Sequence, residues 1–322
     1  HYVGRLEGFR FAPDPGIKDA DNKQVNSAAR TALGHTIRER CAMFENAHDI
    51  QFDLDANGTI TWQRQLNNPL PGEAVARLRP GAAPLRPDIE VLADDALLEH
   101  VDKDRIHNRL NLWLARYIAE KLPALKALED TEDLPAQARG ITYQLYENMG
   151  VMLRADLAEL IAGLDEAARA TLRPKRIRFG PVHVYLPEMI KPAPLRLRAL
   201  LWALYYGYKL PVTVPHDGAS SVDVKHQVLD HGFYLMIGYP VYGGRAVRVD
   251  MLDRLVGAIY DTAEKGHFGA RHEWAEWLGC SIPELYAVLA DLGHQKTYEP
   301  AGAETESGQA TQDDSGAAAT EQ

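Results

Sequence analysis

The sequence predicts an α+β chain with a small β-rich N-terminal unit over residues 1–92. A mainly α-helical region over 93–298 follows, with a winged-helix-like C-terminal module over 250–298, and then a disordered acidic tail over 299–322. Three observations predict this. Short alternating stretches around turn signals fill the first part. Apolar residues at helical spacing fill the second. From Glu299 onward there are six acids, no Lys or Arg and no aromatic residue, a composition that does not pack a core.

In the N-terminal unit, His1 to Phe11 is strand-like, and Val3 to Phe11 alternates before the break at Pro13-Asp14-Pro15. A chain start normally shows a frayed polar lead, so this opening reads as cut from something longer. Val25 to Phe44 carries helical spacing through Ala28, Thr31, Ala32, His35 and Ile37. Ile50–Leu54 and Thr59–Trp62 flank Asn57-Gly58, a pair that takes the positive φ angles of a tight hairpin turn. Strands at Ala74–Leu78 and Ile89–Leu92 bracket a Pro/Gly loop.

Beyond residue 93, Ile106, Leu110, Trp113, Leu114, Tyr117, Ile118 and Leu122 form one apolar helical stripe, which Pro123 interrupts. Ala138, Ile141, Leu145 and Met149 repeat the pattern and Gly150 caps it. A third helix is expected over Met152–Ala162, a strand over Val182–Leu186, and a Leu-rich helix from Pro194 to Tyr206. Tyr234–Ile237 and Ala246–Val249 read as a strand pair. Asp250 reads as the cap of a helix with Leu252, Leu255, Val256 and Ile259 on its face. Trp274–Leu278 is a short helix ended at Gly279. Ser281-Ile-Pro-Glu284 is a capping box, in which Ser and Glu side chains satisfy orphan N–H groups.

Several function classes are excluded or left without support. The longest apolar run, Ala199–Tyr206, is too short for a bilayer, which needs about 20 residues. No secretory signal pattern is visible, and Cys41 and Cys280 belong to no Cys-x-x-Cys pair, which points to a reduced, cytoplasmic setting. No phosphate loop, dinucleotide fingerprint, zinc spacing or serine elbow occurs. Asp165-Glu166 mimics a magnesium-binding pair, but its flanks favour helix and no Lys-bearing loop accompanies it.

The informative stretch is 171–211, with eight bases against one acid, a local charge of +7. Arg173, Lys175, Arg176 and Arg178 form a cluster, and Lys191, Arg196 and Arg198 follow. Such residues neutralise phosphates. Phe179, Tyr185, Trp202, Tyr205, Tyr206 and Tyr208 interleave with them, and aromatic faces stack unpaired bases. The 194–206 helix is apolar nearly all round, however, so its aromatics read first as core. The 271–293 stretch has helix-turn-helix punctuation. Its second helix brings Glu284 and Asp291 and no base, which argues against a major-groove reader.

Three stretches together carry a resemblance: His1–Asp14, Arg178–Pro194 with its Leu-rich sequel, and Arg245–Leu255 with Leu278–Ser281; Glu132–Gly140 fits the same pattern. In this order they resemble the region after the motor in bacterial Suv3-like superfamily 2 helicases. The resemblance implies ATP- and magnesium-dependent unwinding by a RecA-like motor in cis, which this chain lacks, so no catalytic residue carries over. It implies a non-catalytic accessory region that binds or guides RNA or DNA in single-stranded form. The competing expectation is a scaffold that docks the motor or a nuclease partner. A stand-alone enzyme has only unmatched His and acidic residues behind it.

Overall fold

The chain turns back on itself at once: Gly8, at φ +58°, reverses the strand-like stretch into an antiparallel hairpin of β1 (Gly4–Glu7) and β2 (Arg10–Pro13). Only glycine fits, because a Cβ there would lie 2.7 Å from the Ala74 carbonyl oxygen. The computed structural model describes residues 4–13, 19–93 and 97–297; the expected acidic tail and the opening at His1 lie outside them.

Helix α1 (Asp19–Glu45) leads to the Asn57-Gly58 hairpin, formed by β3 (Phe52–Leu54) and β4 (Thr59–Trp62). Asp55 accepts from the Asn57 and Thr59 amides at 2.9 and 2.8 Å, which fixes the turn. β5 (Glu73–Ala83) and β6 (Arg86–Val91) complete an antiparallel sheet in the order β3-β4-β5-β6. The loop expected at Pro80-Gly81 is a continuation of β5.

The apolar stripe is α2 (His100–Lys121), followed by α3 (Pro123–Lys126), with Pro123 in the first turn. α4 (Ala136–Glu147) ends where the Gly150 amide, at φ +95°, donates to Leu145 at 2.7 Å. The helix expected over Met152–Ala162 is split into β7 (Val151–Leu153), a 3-10 turn and α5 (Ala158–Ala162). α6 (Glu166–Leu172), β8 (Arg178–Phe179), β9 (His183–Tyr185) and α7 (Pro192–Tyr205) follow, and a small sheet takes the order β7-β9-β8.

After β10 (Ser221–Asp223), the stretch read as a strand at Tyr234–Ile237 is instead within and just after α8 (His231–Met236). Asp230 caps this helix by accepting from the Phe233 amide at 2.8 Å. β11 (Val241–Tyr242) and β12 (Arg245–Val247) join β10 in a third sheet, ordered β10-β12-β11. α9 (Val249–Thr262) starts after Arg248, so Asp250 lies inside its first turn and is not its cap. α10 (Glu273–Leu278) and α11 (Ile282–Asp291) end the described fold, and Ser281 and Glu284 form the expected capping box.

The class is α+β with small antiparallel sheets. One buried cluster runs from Phe9 to Ala246. Phe44 lies 4.9 Å from Trp62 and 5.1 Å from Phe52 between ring centroids, and Phe52 lies 5.7 Å from Trp113 of α2. Each such contact adds about 0.5–1.5 kcal/mol beyond burial. The secondary-structure change near residue 92 is therefore bridged by a shared core. A second cluster, Val247 to Leu289, is built from α9, α10 and α11. Val151, Tyr185 and Val249 seam the β7-β9-β8 sheet to the start of α9. Among the described residues, no helix is long and apolar enough to cross a membrane.

Candidate nucleic-acid interface

The linear charge of +7 does not become one positive surface, because most of its cations meet acceptors. Arg198 is 0% exposed. From α7 it donates to the carbonyls of Met149 (3.0 Å), Met189, Met236 and Ile237 (3.4 Å), at the ends of α4, a 3-10 turn and α8. Burial pulls its guanidinium down to about 9, so it stays charged at neutral pH. It has no face left for a phosphate, and the expectation that it binds nucleic acid is corrected. It ties three element ends to one helix.

Lys191 pairs with Glu188 at 2.6 Å, and Arg196 pairs with Asp217 at 2.5 Å. Both pairs line or flank a 210 Å³ cavity at the start of α7, where Arg248 in turn grips Asp250 at 2.6 and 3.1 Å. Each cation there has its own carboxylate, so this cavity offers an anion little net attraction. Lys175 donates to the Ala127 and Asp130 carbonyls, both at 2.6 Å. That contact turns it toward a loop carrying Glu129, Asp130, Glu132 and Asp133.

Arg178, mostly exposed, stands 3.7 Å from Asp253 of α9. Asp253 is buried against Gly180, where a Cβ would approach its carboxylate to 2.4 Å, and it accepts from the Tyr185 hydroxyl at 3.2 Å. Burial raises its carboxyl above the ordinary range, against the opposing pull of Tyr185 and Arg178. His183 nearby is fully enclosed, edge-on to Tyr242 at 6.2 Å, and neither ring nitrogen has a partner. Burial pushes it down to about 4. Asp253, Tyr185 and His183 are enclosed in the seam between α9 and the β7-β9-β8 sheet, and Arg178 stands at its exposed edge.

Two members of the predicted set, Arg173 and Arg176, remain exposed with no side-chain hydrogen bond or ion pair among the described residues. Pro174 helps shape the 3-10 turn Arg173–Lys175, and Arg176 ends it in a left-handed conformation, φ +52° and ψ +33°. Leu172 and Ile177 anchor the turn inward, which leaves both guanidinium groups outward.

The aromatics divide as well. Tyr185 is buried in β9, and Trp202 is buried on α7, as the all-round apolar helix implied. Tyr205 and Tyr206 are not: they are 37% and 58% exposed. Their position in the last turn, immediately before Gly207, was the signal that they leave the core. Asp165 proves to be the N-cap of α6, accepting from the Ala168 amide at 2.7 Å, so the magnesium-like pair is a helix start. Among the described residues no group of three His, Cys, Asp or Glu side chains is placed to hold a metal. No family model, curated protein or solved structure matches the chain.

Proposed function

We propose that this chain is a non-catalytic accessory region of a Suv3-like ATP-dependent helicase, gripping single-stranded RNA or DNA for a RecA-like motor in the parent protein. The resemblance over three ordered stretches supports it. The observation that carries it is the pair Arg173 and Arg176, exposed and unpartnered where the other cations of the predicted set are engaged. A non-glycine residue in the left-handed region is uncommon and mildly strained. Holding Arg176 there sets its side chain outward beside Arg173. ATP and magnesium belong to the motor in this reading, and the setting is cytoplasmic.

Contacts made by α11 support reading the C-terminal helices as a packing unit. The β11–β12 turn lies on α11: the Gly243 amide donates to Asp291 at 2.6 Å, and a Cβ on Gly243 would lie 2.5 Å from the α11 backbone. Arg245 joins Glu284 at 2.7 Å. Both acids of α11 thus serve internal contacts. The exposed Glu273 and Glu276 of α10 and the 70% exposed Tyr260 of α9 favour a second role for this module, docking the motor or a nuclease.

The test is fluorescence anisotropy with short single-stranded RNA and DNA at low salt, comparing the full chain with the double variant Arg173→Glu/Arg176→Glu. The proposal expects binding by the parent chain and a loss of about tenfold or more in the variant. No binding by the parent chain, or equal binding by both, refutes it.

A further inference from the structure

Helix α7 closes in a Schellman cap. Gly207, at φ +76°, donates to Leu204 at 3.3 Å, and the Tyr208 amide donates to Ala203 at 2.8 Å. This cap normally brings the residue after the glycine back onto the last turns of the helix. Here Tyr208 stacks on Trp202, 5.4 Å between centroids and 26° between planes, and its hydroxyl donates to Asp230 at 3.0 Å. The cap accounts for Trp202, Gly207 and Tyr208. It does not account for Tyr205 and Tyr206.

Those two rings stand in water and are nevertheless held. Tyr206 packs 4.4 Å from Trp202, and Tyr205 meets Tyr206 edge-on, 5.1 Å apart at 87°. The two rings therefore form a T-shaped pair packed on the buried Trp202. An exposed aromatic pair held in this way offers an apolar surface to a partner. The turn from Tyr205 to Leu210 carries one charged residue, Lys209, which is exposed and makes no ion pair. Asp230, which Tyr208 reaches, accepts from the Tyr208 hydroxyl and from the Phe233 amide. Asp230 keeps its negative charge, and Lys209 is the cation of this turn that can meet a phosphate.

We propose that Tyr205 and Tyr206 are a stacking platform for the unpaired bases of a single-stranded nucleic acid, with Lys209 on the adjoining phosphate. Every base has a π-face, so such a platform takes single strands with little regard to sequence and rejects stacked duplex. This rests on the nucleic-acid role proposed above and adds where the bases, as distinct from the phosphates, are held.

The experiment measures binding of the full chain to oligothymidylate and to an abasic oligomer of equal length and charge. The platform predicts that the parent chain prefers the base-bearing strand by about tenfold, the scale of one stacked base. Tyr205→Leu/Tyr206→Leu, which keeps apolar bulk for folding but removes the π-faces, should lose that preference, and Tyr205→Phe/Tyr206→Phe should keep it. Equal binding of both oligomers by the parent chain overturns the platform and leaves the phosphate-binding role standing. Preference that persists in the Leu variant also overturns it. Failure to bind either oligomer, together with failure to bind single-stranded RNA in the anisotropy assay above, overturns both proposals. A change in sedimentation of the Leu variant with its base preference unaltered would assign the patch to a protein contact, against the platform.

Discussion

Arg198 and Arg176 belong to one basic run of sequence and have opposite fates. Arg198 is enclosed, with four carbonyl partners on three elements. Arg176 is exposed, unpartnered and held in a left-handed turn. What separates them is the number of acceptors that folding brings to each, which a count of charges along the chain does not contain. A cation surrounded by orphan carbonyls at helix ends is a fastener, since those carbonyls otherwise remain unsatisfied. A cation with no acceptor is available to a partner.

The largest effect expected from breaking this comparison falls on Arg198. Arg198→Ala leaves four buried carbonyls short of a donor and a cavity in the core. It should destabilise by about 3–5 kcal/mol, measured by urea unfolding. Arg198→Lys should recover only part of this, because one ammonium group cannot reproduce the fork. A loss below about 1 kcal/mol for the alanine variant would mean that Arg198 is not a fastener.

The same logic extends to Arg245, which is buried and joins Ser221 (3.0 Å), Glu284 (2.7 Å) and the Gly279 carbonyl (3.2 Å). Glu284 is held down to about 2 by hydrogen bonds from Ser281 first, and then by Arg245. A carboxyl lowered on folding stabilises above its unfolded value of 4.5, and that contribution disappears as pH falls toward about 2. The C-terminal helices should therefore loosen over this window, seen as lost near-UV signal from Trp274 and Trp277. Glu284→Gln should flatten that dependence, and an unchanged acid transition would contradict the role of Glu284.

Much of the fold is legible in the sequence where one local signal is unambiguous. The stripe from Ile106 to Leu122, the Asn57-Gly58 turn and the Ser281/Glu284 box each appear as read. Misreadings occur where a distant partner decides. Val151–Leu153 is a strand because it pairs with β9, a contact across about thirty residues that periodicity does not report. Tyr234–Ile237 is a short apolar run, and such runs suit helix or strand equally; the Asp230 cap was the deciding local sign. For the site, Arg198 stood among Leu195, Leu197, Leu200 and Leu201, the same neighbours as the exposed Arg196, so the local sequence did not separate the two. Nothing local announced that Asp217 would engage Arg196.

Smaller effects sharpen the other half of the comparison. Arg176→Gly fits the left-handed backbone better, so it should be neutral or stabilise by up to about 1 kcal/mol while weakening nucleic-acid binding. Gained stability with unaltered binding would detach Arg176 from function. Arg196→Ala removes an exposed pair and should cost only about 0.2–1 kcal/mol. It should leave affinity nearly unchanged, since Asp217 loses its partner as the cation is lost; a large drop in affinity would show that Arg196 reaches phosphate after all.

The salt dependence of binding tests the division between free and engaged cations most directly. For single strands the slope of log affinity against log salt falls by about 0.7 per phosphate contact. Arg173→Ala/Arg176→Ala should reduce the slope of the full chain by about 1.4, whereas Lys191→Ala/Arg196→Ala should leave it unaltered. Equal reductions by the two pairs, or a change only in the second, would contradict the account.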